Sequence, residues 1–61
     1  MRDKILEAIT SGSIIGIHLI SGETYYGICS PDSSDANHFI ITTAEGPQRI
    51  SYWTIKRILK R

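Results

Sequence analysis

IIGIHLISGETYYG, residues 14–27, decides how the rest of the chain is read. Ile15, Ile17 and Leu19 alternate with Gly16, His18 and Ile20, the period of a β-strand. Ser21-Gly22-Glu23 marks a tight turn with Gly22 as its turn residue. A second strand follows, with Gly27 inside it. A glycine within a strand gives up a packing side chain and marks a bulge, a bend or a close backbone approach. The segment therefore predicts a small antiparallel sheet that bends sharply at Gly27. Tyr25, Gly27 and Cys29 share one face, and Tyr26 and Ile28 the other. One tyrosine thus points to the core or an interface and its neighbour to solvent. The first strand is apolar on both faces, so its outer face is expected to be covered too, by a helix or a neighbouring subunit.

The flanks fit this hairpin. Ile5, Ala8 and Ile9 follow i, i+3, i+4 spacing and predict a helix over about 2–10, with Asp3 favouring its start and Gly12 its stop. A helix this short is marginal alone and must dock its apolar face on the sheet. PDSSDAN, residues 31–37, is a loop. The β-branched stretch 38–44 predicts a third strand, ending at a Glu45-Gly46-Pro47 turn. Residues 48–53 predict a fourth. The last segment, 55–60, fits either a strand or a helical turn through Ile55, Ile58 and Leu59. The fold expected is mostly β with a short N-terminal helix. It is a single domain over 1–61 whose residues 13–60 form a small, strongly bent, five-stranded antiparallel SH3-like barrel.

A chain of 61 residues buries only about 60% of the surface its unfolded state exposes. Cys29 is its one cysteine, so no disulfide adds stability, and packing or self-association must supply it. A lone cysteine, no visible signal peptide and no membrane-length apolar run point to a cytoplasmic protein with no membrane partner. His18 and His38 are isolated and read as structural. No cysteine–histidine cluster has metal-ligand spacing, and no cofactor is expected. Phosphate loops, zinc motifs and nucleophile elbows are lacking as well, so the chain is not read as an enzyme.

The net charge is +1, too small for a strong nonspecific nucleic-acid binder. Its distribution is uneven. Arg49, Lys56, Arg57, Lys60 and Arg61 gather at the C-terminal end with no acid among them. Tyr52 and Trp53 lie within this basic stretch, and aromatic faces beside cations suit single-stranded nucleic acid. Tryptophan is usually largely buried, so Trp53 is placed in the core or a subunit interface ahead of a ligand-facing position. Asn37 has an amide that can read a base edge, although a loop asparagine commonly supports a turn. Tyr25 is a further stacking candidate beside its structural role. Cys29, on a strand, reads as an inert buried thiol.

A helix, five short strands and Ser21-Gly22 followed by Gly27 resemble the Sm-like family, most closely its bacterial Hfq branch. RDKILEAITSG looks like the N-terminal helix of that family. IIGIHLISGETYYGI looks like its first motif, with Gly22, an inward Tyr25, the bend at Gly27 and an asparagine at Asn37. RISYWTIKRIL looks like the second. The resemblance implies a bent five-stranded barrel, a homo-oligomeric ring built by pairing edge strands, and single-stranded RNA binding in a regulatory or chaperone role. The chain departs from the pattern at named positions. Asp32 stands where the family has an apolar residue, and Ser33 where it has the loop aspartate. Tyr52 and Trp53 replace the Lys-His pair that meets RNA at the pore. On the other RNA face, Glu23 replaces an apolar residue and His18 an aromatic one. The RNA-binding set expected is Arg49, Tyr52, Trp53, Lys56, Arg57, Tyr25 and Asn37. A protein-interaction module on the same fold is the main alternative, and a DNA-associated regulator a weaker one.

Overall fold

The computed structural model describes residues 2–60, with only the backbone given for Lys60. Arg61, counted above in the basic end, lies outside them. Helix α1 spans Arg2–Ser11, followed by strands β1 (Ile14–Leu19), β2 (Thr24–Pro31), β3 (His38–Thr43) and β4 (Gly46–Ser51). A single 3₁₀ turn, Tyr52–Thr54, leads into β5 (Ile55–Lys60). All ladders are antiparallel, in the spatial order β4-β3-β2-β1-β5.

The local reasons are visible in the backbone. Asp3 sits in the first turn of α1, where a carboxylate favours the N-terminal end of the helix dipole. Gly12 ends the helix at φ +69°, its N–H donating to the Ala8 carbonyl at 2.9 Å, a left-handed stop that costs glycine little. The first hairpin closes with the Leu19 N–H on the Glu23 carbonyl at 2.8 Å and the Gly22 N–H on the Leu19 carbonyl at 2.9 Å.

Gly27 does what a strand glycine is expected to do. β2 pairs with β1 through residues 24–28 and with β3 from Ile28 onward, so the strand changes partners beside Gly27. A Cβ there would collide with the Thr42 carbonyl oxygen and lie 2.7 Å from its carbon. The close approach is backbone on backbone, which only glycine allows.

One face of the sheet carries the core. Ile15, Ile17, Leu19, Cys29, Phe39, Ile41, Ile50 and Ile55 are buried there with Ile5 and Ala8 of α1. The helix thus covers the core face and leaves the outer one, where Ile14 and Ile28 form an exposed cross-strand pair. Of the two covers expected for the outer face, a helix or a neighbouring subunit, the helix is therefore not the one.

Three other expectations are corrected, and the type of the last segment, left open between strand and helical turn, is decided. The sheet does not close into a barrel: β4 and β5 form no ladder with each other and remain its two edges. The fourth strand begins at Gly46, paired with Thr43 at φ +120°, and ends at Ser51. Tyr52 and Trp53 therefore leave the strand for the 3₁₀ turn. The last segment is a strand because pairing with β1 overrides its helix-compatible spacing. Trp53 is not in the core: it is 74% exposed, since the 3₁₀ turn lifts it off the sheet.

Candidate nucleic-acid and assembly surface

The register of β5 against β1 slips between His18 and Leu19. His18 pairs with Arg57 and Leu19 with Ile55, leaving Lys56 as an extra, unpaired residue. Such a bulge breaks strand alternation and re-aims side chains. In consequence Lys56 and Arg57, although adjacent, are both exposed. Among the described residues neither makes an ion pair. His18, across from Arg57, has its Nδ1 2.8 Å from the Thr24 hydroxyl.

Arg49 stands elsewhere, on the opposite edge strand, and it is engaged. Its Nε donates to Asp32 at 2.6 Å, and a second guanidinium nitrogen lies 3.6 Å from Asp35. The Arg49 hydrogen bond, helped by the Ser34 N–H and hydroxyl, holds the Asp32 carboxyl well below the usual carboxylate range. Asp35 is lowered first by the Asn37 N–H, with His38 and Arg49 adding to it. Arg49, expected as a phosphate contact, instead anchors the 32–37 loop to β4.

Tyr52 is also committed. Its ring lies 5.0 Å from that of Phe39, tilted by 38°. The Arg2 guanidinium sits over it at 4.9 Å, a cation–π arrangement. Arg2 in turn donates to the Ala36 carbonyl at 2.5 Å. This tyrosine joins helix, loop and sheet. Tyr25 is half-buried, and its hydroxyl donates to Glu23 at 3.3 Å. The Glu23 charge raises the phenol's pKa and is unfavourable next to a phosphate. Asn37 is exposed, its N–H donating to Asp35 and its carbonyl accepting from the Tyr52 N–H.

Of the expected set, then, the fold brings Arg49, Asn37 and Tyr52 together around the 32–37 loop. It leaves Trp53, Lys56 and Arg57 in solvent along the turn and start of β5. Cys29 is 3% exposed, and burial pushes its thiol up to about 11.

One polar chain escapes a reading of the sequence. Ser51 Oγ lies 2.8 Å from His38 Nε2, and His38 Nδ1 lies 2.8 Å from Asp35. The order is that of an acyl-transfer triad. The Asp35 contact, however, falls off the hydrogen-bonding line, and the same carboxylate is shared with Asn37 and Arg49. The arrangement holds the loop to the β3–β4 hairpin. The signal was Asp35 three residues before His38, but its link to Ser51 needs the register in which His38 faces Ser51. No group of three histidine, cysteine or acidic residues capable of holding a metal occurs among the described residues. No described helix is long and apolar enough to cross a membrane.

Comparison with protein families, curated proteins and solved structures finds no match to this chain.

Proposed function

We propose that the protein is an Sm-like module that self-associates through its edge strands and binds single-stranded RNA along its basic end. The observation that carries the RNA reading is the β5 bulge, which presents Lys56 and Arg57 side by side in solvent without acidic partners among the described residues. Two cations per chain make a weak site. Assembly repeats them, so one RNA strand engages several copies and gains avidity. Self-association is supported by β4 and β5 standing at the two edges of an open sheet, since sheet edges call for pairing or covering. A neighbour's strand on each edge would complete the barrel-like closure that the single chain lacks. A helix followed by five antiparallel strands agrees with the arrangement the resemblance implies.

A second reading has its own observation. Ile14, Tyr26 and Ile28 are 53%, 46% and 47% exposed on the outer sheet face, and exposed apolar patches mark protein contacts. On that reading the chain is an assembly module without RNA binding.

The experiment is a titration of wild type and the Lys56→Ala, Arg57→Ala double variant with A-rich and U-rich oligonucleotides at two salt concentrations. The RNA reading expects wild-type affinity to fall steeply with salt. It expects the double variant to bind more weakly to both sequences, with a logarithmic salt slope shallower by about 0.7 for each phosphate no longer neutralised. Absence of wild-type binding at low salt selects the protein-interaction reading. Unchanged binding by the double variant moves the RNA to another face.

A further inference from the structure

Among the described residues an imidazole meets a hydroxyl in two places. His18 Nδ1 lies 2.8 Å from the Thr24 hydroxyl, and His38 Nε2 lies 2.8 Å from Ser51 Oγ. Only the second pair has a carboxylate behind the ring, Asp35, 2.8 Å from His38 Nδ1. Other serines are engaged differently: Ser11 with Ser13, Ser21 with Glu23 and Ser34 with Asp32. We infer that Ser51 is a nucleophile that takes an acyl group from an activated ester, with His38 as its general base. The inference stands apart from the RNA and self-association readings.

The position of one proton decides it. A neutral imidazole carries a proton on one nitrogen and a lone pair on the other. His38 Nδ1 is closed off from solvent and faces the Asp35 carboxylate. A lone pair on Nδ1 would stand against those of the carboxylate with no water between them. The proton therefore belongs on Nδ1, off the hydrogen-bonding line but favoured by the adjacent charge. Nε2 is then the acceptor, and Ser51 donates to it. This is the order of groups that activates a serine. Arg49 lies 3.6 Å from Asp35, and the Asn37 N–H uses the same carboxylate. Support for the imidazolium is thus divided, and the activation is modest.

The surroundings set the substrate class. Ser51 is the half-buried last residue of the edge strand β4. His38 and Tyr52, the residue after Ser51, border a cavity whose walls include Leu6, Ile9, Pro31 and Ala36, which suits a small apolar acyl group. The N–H that follows a nucleophilic serine often serves as an oxyanion donor. Here the Tyr52 N–H is spent on the Asn37 carbonyl at 3.1 Å, so the leaving group must be a good one and the acylated serine should persist. In the step, Ser51 Oγ bonds to the acyl carbon and the bond to the leaving oxygen breaks. The Ser51 proton passes to His38 Nε2 and on to solvent, and the leaving group departs as its anion.

The test treats the full chain with p-nitrophenyl acetate and reads both p-nitrophenolate release and, by mass spectrometry, the residue modified. Ser33 and Thr24, both exposed, are the internal comparison. Ser51 should be acetylated about tenfold or more faster than either, a part of the roughly 10²–10⁴-fold that general acid–base help supplies. His38→Gln, checked for folding by circular dichroism, should bring Ser51 down to the rate of Ser33. Nitrogen NMR of the wild type, at a pH where the imidazole is neutral, should find the His38 proton on Nδ1. Acetyl groups on lysines with Ser51 unmodified overturn the inference. So does Ser51 labelled at the wild-type rate in folded His38→Gln, and so does a His38 proton on Nε2.

Discussion

Replacing Gly27 with alanine adds one methyl group at the point where β2 passes closest to β3. The added Cβ would strike the Thr42 carbonyl oxygen, 2.7 Å from the carbonyl carbon and 3.2 Å from the Thr43 nitrogen. Every atom in its way is backbone, so no side-chain rotation relieves the clash and the β2–β3 ladder must open. Overpacking that forces backbone shifts costs about 1–3 kcal/mol and occasionally more, and this site belongs at the upper end, about 3 kcal/mol. A 61-residue domain has a total stability of about 3–9 kcal/mol, so much of it is removed. The melting temperature should fall by roughly 12–24 °C at about 4–8 °C per kcal/mol. Gly12→Ala is the control. Its φ is +69° with nothing within 4 Å, so only the left-handed backbone penalty of about 1–2 kcal/mol applies. Thermal and urea unfolding followed by circular dichroism measure both. A Gly27→Ala variant within about 0.5 kcal/mol of wild type, the range of an ordinary surface change, would refute the close-approach argument. So would one no less stable than Gly12→Ala.

Further outcomes are expected. Gly16→Ala should be milder than Gly27→Ala in the same unfolding experiment, because the atoms its Cβ meets belong to the Tyr26 ring and the Leu59 Cβ, not to the backbone carbonyl that blocks position 27. Asp32 and Asp35 both have pKa values lowered below the ordinary 3.8. Their contribution to stability is complete above that value and is lost as pH falls through the lowered ones. Arg49→Gln should lower stability at neutral pH and flatten the acid limb of a pH–stability profile, with the difference shrinking in added salt. An unchanged acid limb would count against the Arg49 anchor. Cys29, buried and with its thiol pushed up to about 11, should react with an aromatic disulfide at mildly alkaline pH many times more slowly in the folded protein than in denaturant. Equal rates would place the thiol at the surface.

The strands and their faces were legible because the patterns are local. Ile15, Ile17 and Leu19 alternate, and all three are buried on the core face. Gly27 announced a close approach by its position alone, although its contact, Thr42, comes from a strand far along the chain. The boundaries that failed were set by pairing. Gly46 joins β4 because Thr43 is opposite; the bounds of 55–60 were legible, and pairing with β1 decided only that it is a strand and not a helical turn. Composition could not show that Arg49 is held by Asp32 across 17 positions, nor that Tyr52 is covered by Arg2 and Phe39. Trp53 broke the rule for its residue type because the 3₁₀ turn removes it from strand alternation. The bulge at Lys56 leaves no sequence signature, yet it decides that two basic side chains are presented together.

Copies of this chain that assemble and together hold single-stranded RNA should be visible in one sedimentation experiment. It compares the wild-type protein at high micromolar concentration with and without a short labelled single-stranded RNA at low salt. The expected result is an oligomer in the absence of RNA, and RNA that moves with the oligomer and is released when salt is raised. A protein that sediments as a monomer, with the RNA migrating separately, would contradict it.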